Sequence, residues 1–249
     1  MLYIICILAA LLPSWLLVRY FVKSDRFPEP TETVWFIFRK GVNVAFLVLA
    51  VVLPLSLLWS PLEQSENIWV ASAATAFLSA AIPEEFFKHR VLRKFVANHP
   101  DFDEPMDGIV YGAVASLGFA TIENVLYCLG GGVGTALGRA ITAVPAHAAF
   151  GAIMGYTFAR RHFAGKENGA WGPALWLSVL LHGLYDWVLF VITGITTKYE
   201  ESDIPDDEAG VIGACFLVFL LLGIYMFARV RRQVAELRAE QLQLLESGT

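Results

Sequence analysis

A chain of 249 residues that is 57% hydrophobic and only 16% charged does not read as a soluble globular domain, in which about a quarter of residues carry charge. Apolar runs of membrane-crossing length recur from end to end, so the sequence specifies an all-α, polytopic transmembrane helix bundle. The formal net charge of −5 gives no footing for a nucleic-acid partner, and the placement of charge along the chain matters more than its sum.

The first apolar segment, about Leu2–Val22, lacks a basic leader and a small-x-small cleavage site, and reads as a retained helix. Lys23 and Arg26 follow it, then the Pro-rich joint Phe27–Pro30. Segment two, about Val34–Trp59, is expected to kink at Pro54. Segment three, about Ile68–Pro83, runs into Glu84-Glu85-Phe-Phe-Lys88, and the pattern of Val91, Leu92, Phe95 and Val96 with Arg90, Arg93 and Lys94 reads as an interfacial amphipathic helix. Segment four spans about Gly108–Leu129, a Gly-rich loop covers Gly130–Gly134, segment five spans about Arg139–Ala159, and segment six about Trp171–Ile192. The acidic loop Tyr199–Glu208 precedes segment seven, about Val211–Phe227. The expectation is about seven transmembrane helices plus interfacial and C-terminal amphipathic helices.

Two domains follow from this reading. Residues 1–228 form the transmembrane domain, with its chemistry confined to 84–186, and residues 229–249 form a cytoplasmic amphipathic tail. In the tail Val230, Val234, Leu237 and Leu244 are at heptad-like spacing, but Gln241 interrupts the seam. It suits a helix lying on the bundle or bilayer, with a homodimer through the tail as the alternative. Basic residues cluster after segments one, three, five and seven, which predicts an outside N-terminus and a cytoplasmic C-terminus, with Arg139 and Lys198 as exceptions. Gly108, Gly112, Gly118, Gly151 and Gly155 recur at spacings that let helices approach closely. Cys6, Cys128 and Cys215 lie in apolar segments without ligand spacing and read as packing residues.

Four segments each carry titratable groups amid apolar residues. Glu84 and Glu85 share a helix face with Lys88, at offsets of four and three, and alone could be a solvated helix end. Glu123 has long apolar runs on both sides and needs a partner or a proton. His147 alone would suit a hydrogen-bonded packing residue, and His182 with Asp186, one turn apart, a structural pair. Counting ~1.5 Å per residue puts Glu123 ~21 Å, His147 ~18 Å and His182 ~16 Å from the cytoplasmic face, close to one level. The same count leaves Glu84 and Glu85 only ~5 Å from that face, a mismatch unless a bend at Pro83 carries them inward or the segment sits deeper than these bounds allow.

Glu84-Glu85-Phe-Phe-Lys88, Phe119-Ala-Thr-Ile-Glu123, His147 before a small-residue helix, and His182-Gly-Leu-Tyr-Asp186 together resemble the PrsW family of intramembrane proteases. The wider group includes the type II CAAX prenyl endopeptidases, which usually carry Glu-Glu-x-x-x-Arg, a His where Glu123 stands, and a His-x-x-x-Asn ending. Lys88, Glu123 and Asp186 are similar to the PrsW branch instead. The resemblance implies an endopeptidase in a bacterial cell membrane that cuts a membrane-spanning protein in or beside the bilayer, the family's best-known role being the first cut of an anti-sigma factor.

On this reading Glu85 or Glu84 is the general base. Glu123, His147, His182 and Asp186 bind a metal or stabilise the oxyanion. Glu123, His147 and His182 match the ligand types of a catalytic zinc, with Asp186 as a fourth ligand or as the group orienting His182. In the metal-free alternative Glu85 and Glu123 activate the water and the histidines donate to the oxyanion. An ion- or proton-coupled transporter and a non-catalytic scaffold are the rival functions. No inverted repeat favours the former, and the full set of acids and histidines argues against the latter.

Overall fold

The computed structural model describes residues 2–166, 168–199 and 203–247. The side chain of Cys6 and residues 200–202 of the acidic loop lie outside the described residues. The described chain is helical without a strand: α1 (Leu2–Ser24), α2 (Thr31–Glu63), α3 (Ile68–Ala74), α4 (Ile82–Val91), α5 (Pro105–Ile141), α6 (Ala143–Phe163), α7 (Pro173–Lys198) and α8 (Asp206–Ser247). Two π-helical stretches, Thr75–Ala81 and Leu92–Val96, continue α3 into α4 and extend α4, so the chain from Ile68 to Val96 is one helical run.

The bundle is organised around α5, which packs against α1, α2 and α6. From Met106 to Thr121 every residue of α5 is buried. Its start is fixed by Pro105 in the first turn and by a capping box in which the Asp107 carboxylate accepts the Glu104 N–H at 2.8 Å. Close approach to α6 depends on glycine. A Cβ on Gly112 would lie 2.2 Å from the Gly151 carbonyl oxygen, and one on Gly155 only 1.8 Å from that of Gly108. Gly108, Gly112, Gly151 and Gly155 of the small-residue spacing therefore form the α5–α6 contact, while Gly118 faces α2, where a Cβ would lie 2.1 Å from the Phe38 carbonyl oxygen.

The Gly-rich stretch is not a loop between two spans. It is a sharp turn within α5, at Gly132, where φ is 80° and ψ −178°, a conformation essentially restricted to glycine. The chain doubles back there: the Asn124 amide donates to the Ala136 carbonyl at 3.3 Å. Segment five consequently begins at Ala143 rather than at Arg139.

The helical run from Ile68 to Val96 removes the depth mismatch. Asn67 caps its start by accepting the Trp69 N–H at 3.0 Å. The run does not leave the bundle at Pro83; Lys88, His89, Val91, Leu92 and Val96 are all buried beyond it. Glu84 and Glu85 stand near its middle. Charges that resemble a membrane boundary in the sequence are interior: Glu84 and Glu85 share Lys88 within α4, and His147 of α6 and His182 of α7 complete their partners. The amphipathic character of its end is as expected, with Arg90, Arg93 and Lys94 exposed opposite Val91, Leu92 and Val96.

Among the described residues, α1, α2, α5, α7 and α8 are long and apolar enough to cross a membrane. Exposed Phe46, Leu53, Leu57 and Leu58 on α2, and Leu217, Leu221, Ile224 and Phe227 on α8, give these helices outer faces suited to hydrocarbon. The chain is a multi-pass membrane protein. The boundary at 228/229 falls inside α8, which runs unbroken into the tail. Val230, Val234 and Leu237 are buried against the chain's own bundle, so these seam positions are already occupied within one protomer. The tail is fastened further by Arg160, which pairs with Glu236 at 2.5 Å and with Glu240. Cys215 is free and buried, whereas Cys128 is disulfide-bonded, which corrects its reading as a packing residue only.

Candidate active site

The motif segments meet inside the bundle. Glu84, Glu85 and Lys88 come from α4, Glu123 from α5, His147 from α6, and His182 with Asp186 from α7. Glu84, Glu85, Lys88, His147 and His182 are buried, and Glu123 and Asp186 are partly exposed at the edge.

Lys88 ties the cluster together. Its Nζ donates to Glu85 Oε1 at 2.8 Å, to Glu84 Oε2 at 3.1 Å and to His147 Nδ1 at 3.2 Å, and it lies 4.1 Å from the centre of the Phe119 ring. A buried ammonium is tolerable only with such partners, and so are two adjacent buried carboxylates. Because an ammonium only donates, His147 Nδ1 is the bare nitrogen and Nε2 carries the hydrogen given to Glu123 Oε2 at 2.8 Å. Arg139, brought back by the Gly132 turn, pairs with the same Glu123 oxygen at 2.7 Å and stacks over Tyr127.

Glu85 is the most heavily used carboxylate. His182 Nδ1 lies 2.9 Å from Oε1, and the Ser178 hydroxyl donates to Oε2 at 2.6 Å. His182 Nε2 lies 3.1 Å from Asp186 Oδ2, and its ring stacks on Phe150 with centroids 4.7 Å apart. His182 is thus held at both nitrogens and on one face, while the two histidine rings stand perpendicular at 5.1 Å. Glu84, by contrast, has Lys88 as its one hydrogen-bond partner among the described residues. It lines a cavity of about 430 Å³ with Glu123, Ser79, Phe119 and apolar residues of α2 such as Val48 and Val52.

Sequence reasoning missed Ser178 and Arg139. Ser178 was findable, since it lies one turn before His182 on the same helix face. Arg139 was not, because only the Gly132 turn brings it to Glu123. Donor atoms of Glu84, Glu85, His147 and His182 lie within 4.8 Å of one another. Two ring nitrogens and two carboxylates suit zinc in type and spacing. This set differs from the sequence-level trio: His147 and His182 remain, but Glu123 stands beside the group, engaged by His147 and Arg139. Lys88 Nζ is bonded to three of the four donors, so an ion and the ammonium compete for the same atoms.

Residues 29–229 match a family model described as PrsW family intramembrane metalloprotease. "Protease PrsW" of Geobacillus kaustophilus is 44% identical over 186 residues, covering 73% of this chain and 78% of that protein. "Protease PrsW" of Bacillus subtilis is 39% identical over 188 residues, covering 74% and 83%. No solved structure matches.

Proposed function

The chain belongs to the PrsW family of intramembrane metalloproteases, and from that premise we propose that it is a protease whose reaction centre is the buried cluster of Glu84, Glu85, Lys88, His147 and His182. The carrying observation is that acids and histidines from four helices converge beside a cavity that opens between α2 and α5, with Glu84 on its wall. Glu84 is the general base that takes a proton from water, since its second oxygen is left over for that purpose. Glu85 positions the others, orienting Lys88, His182 and Ser178 at once. His147, fixed as the Nε2–H form by Lys88 and Glu123, and His182, fixed by Glu85 and Asp186, supply the polar wall against which the scissile carbonyl lies. A metal held by Glu84, Glu85, His147 and His182 would supply Lewis-acid polarisation and a more acidic water.

The substrate is a membrane-spanning protein whose unwound segment reaches the cluster through the apolar cavity. The PrsW resemblance makes a membrane-bound anti-sigma factor our proposal for it. For orientation, seven crossings with the N-terminus outside and the C-terminus cytoplasmic are supported by the basic residues that end α6 and continue α8. The disulfide-bonded Cys128, at the opposite end of α5 from Asp107, accords with an oxidising outer side. Labelling of Asp203→Cys from outside and Glu246→Cys from inside tests this. A homodimer through the tail would have to use exposed Leu242, Leu244 and Leu245.

The function is tested with purified protein in proteoliposomes containing a membrane-spanning substrate, with zinc counted per chain. The expected result is cleavage without ion flux. Flux without cleavage would establish the transporter instead. Zinc near one per chain, lost in His147→Ala and His182→Ala together with activity, assigns the metal mechanism; activity without metal or response to chelators assigns the metal-free one.

A further inference from the structure

At the start of α5, about four turns from Glu123, a second group of acids is buried without a basic partner among the described residues. Asp25 and Glu29 come from the α1–α2 connection, Glu104 caps α5, and Asp107 lies in its first turn. Asp107 is 0% exposed, Asp25 5% and Glu29 8%. Among the described residues none of the four is in an ion pair. Oxygens of Asp25, Glu104 and Asp107 lie within 4.8 Å of one another.

The available donors are spent on one oxygen of each buried aspartate. Asp107 Oδ2 accepts the Asp103 and Glu104 N–H groups at 2.9 and 2.8 Å. Asp25 Oδ1 accepts the Phe27 N–H at 2.9 Å and the Gln241 amide at 2.6 Å. Gln241 also donates to Glu104, and the Tyr111 hydroxyl to Glu29. Asp25 Oδ2 and Asp107 Oδ1 are sealed from solvent and receive no amide or hydroxyl hydrogen among the described residues; what stands against the two carboxyl groups is the carboxyl of Glu104 and of Glu29. Bare carboxylate oxygens in a dry interior require a proton or a cation. Burial pushes Glu29 and Glu104 up to about 7, with the charge of Asp25 adding to it, as expected where negative charge is uncompensated.

We propose that Asp25, Glu104 and Asp107, with Glu29 beside them, bind a divalent cation of the hard, oxygen-seeking class (Mg²⁺, Ca²⁺ or Mn²⁺). The ion fastens the tail of α8 to the α1–α2 connection and to the start of α5, because Gln241 reaches both Asp25 and Glu104 and accepts the Arg26 N–H at 3.3 Å. An all-oxygen set also separates this site chemically from the nitrogen-containing cluster higher on α5, so the two select different metals.

The test is titration of chelator-stripped, full-length protein in detergent with Mn²⁺ alone, bound ion being read from its spin signal, followed by competition with Mg²⁺ and Ca²⁺. The expected result is one saturable ion per chain, released by Mg²⁺ or Ca²⁺ and retained in the His147→Ala/His182→Ala variant. Asp25→Asn and Asp107→Asn, which keep the side-chain shape, should weaken it at least ~10-fold. Mg²⁺ should also slow tryptic cleavage after the exposed Arg232 and Arg238 of the tail. Absence of saturable Mn²⁺ binding to the wild-type chain overturns the proposal, and so does binding lost in the histidine variant but kept in Asp107→Asn. Stability that varies with pH but is indifferent to all three ions means that the acids hold protons, which overturns it too.

Discussion

Helix α5 reaches both clusters, with Asp107 in its first turn and Glu123 midway along it, ~24 Å apart along its axis. Around Glu123 each acid faces a cation or ring nitrogen: Lys88 for Glu84 and Glu85, Arg139 and His147 for Glu123, His182 for Asp186. Around Asp107 the acids face each other, amides and hydroxyls, and two carboxylate oxygens receive no hydrogen from an amide or hydroxyl among the described residues. Equal burial thus yields different chemistry. The compensated cluster pairs its buried acids with Lys88, Arg139 and the two histidines beside a cavity. The uncompensated one must recruit a proton or an ion, which suits a structural clasp.

Removing the compensation should break this difference most severely. Lys88→Met leaves Glu84 and Glu85 buried without their shared cation, and a loss on the order of 3–5 kcal/mol is expected, measured by denaturant-dependent unfolding in detergent. Wild-type stability in this variant would mean that the two acids share a proton and do not depend on Lys88. Gly151→Val attacks the scaffold that brings the clusters onto one helix. Its Cβ would meet the Gly112 carbonyl oxygen at 2.2 Å and the Ser116 hydroxyl at 2.4 Å, so destabilisation of about 1–3 kcal/mol is expected. A smaller effect should follow from Ser178→Ala. Glu85 loses its hydroxyl donor, so stability should fall by ~1.5 kcal/mol and cleavage ~10-fold.

The uncompensated cluster has its own signature in pH. Glu29 and Glu104 titrate near 7 in the fold, raised from 4.5. Folding therefore binds protons, and the stability these groups contribute is complete below about 4.5 and lost as pH rises to about 7. Ion-free protein should lose a few degrees of melting temperature across that window, and Mg²⁺ should restore them at the upper end. A melting temperature flat in pH would contradict the placement of these acids.

Much of this was legible in the sequence, and the rest was hidden for identifiable reasons. The apolar runs gave the helices, and the ordered acids and histidines pointed to side chains that the fold brings together, because such groups survive in a membrane segment only when they are satisfied there. The depth of Glu84 and Glu85 stayed open because the segment was ended at Pro83, whereas the helical run continues to Val96; Lys88 was legible as their partner at i+4 and i+3, but His147 and His182 come from α6 and α7, which no local pattern records. Glycines in a row suggested a loop where one residue, Gly132, turns the chain and delivers Arg139. Gln241 looked like a flaw in an apolar seam, yet it is the residue that carries the tail onto Asp25 and Glu104. Sequence periodicity reports which face is buried, but not what chemistry waits beneath it.

The account rests most directly on Glu84 as the group that meets water. Cleavage of a membrane-spanning substrate by purified Glu84→Gln, against wild type in the same proteoliposomes, tests it. The rate should fall at least ~100-fold, with Mn²⁺ binding at the Asp25–Asp107 cluster and the melting temperature unchanged. Turnover near the wild-type rate in a folded Glu84→Gln variant would contradict the account.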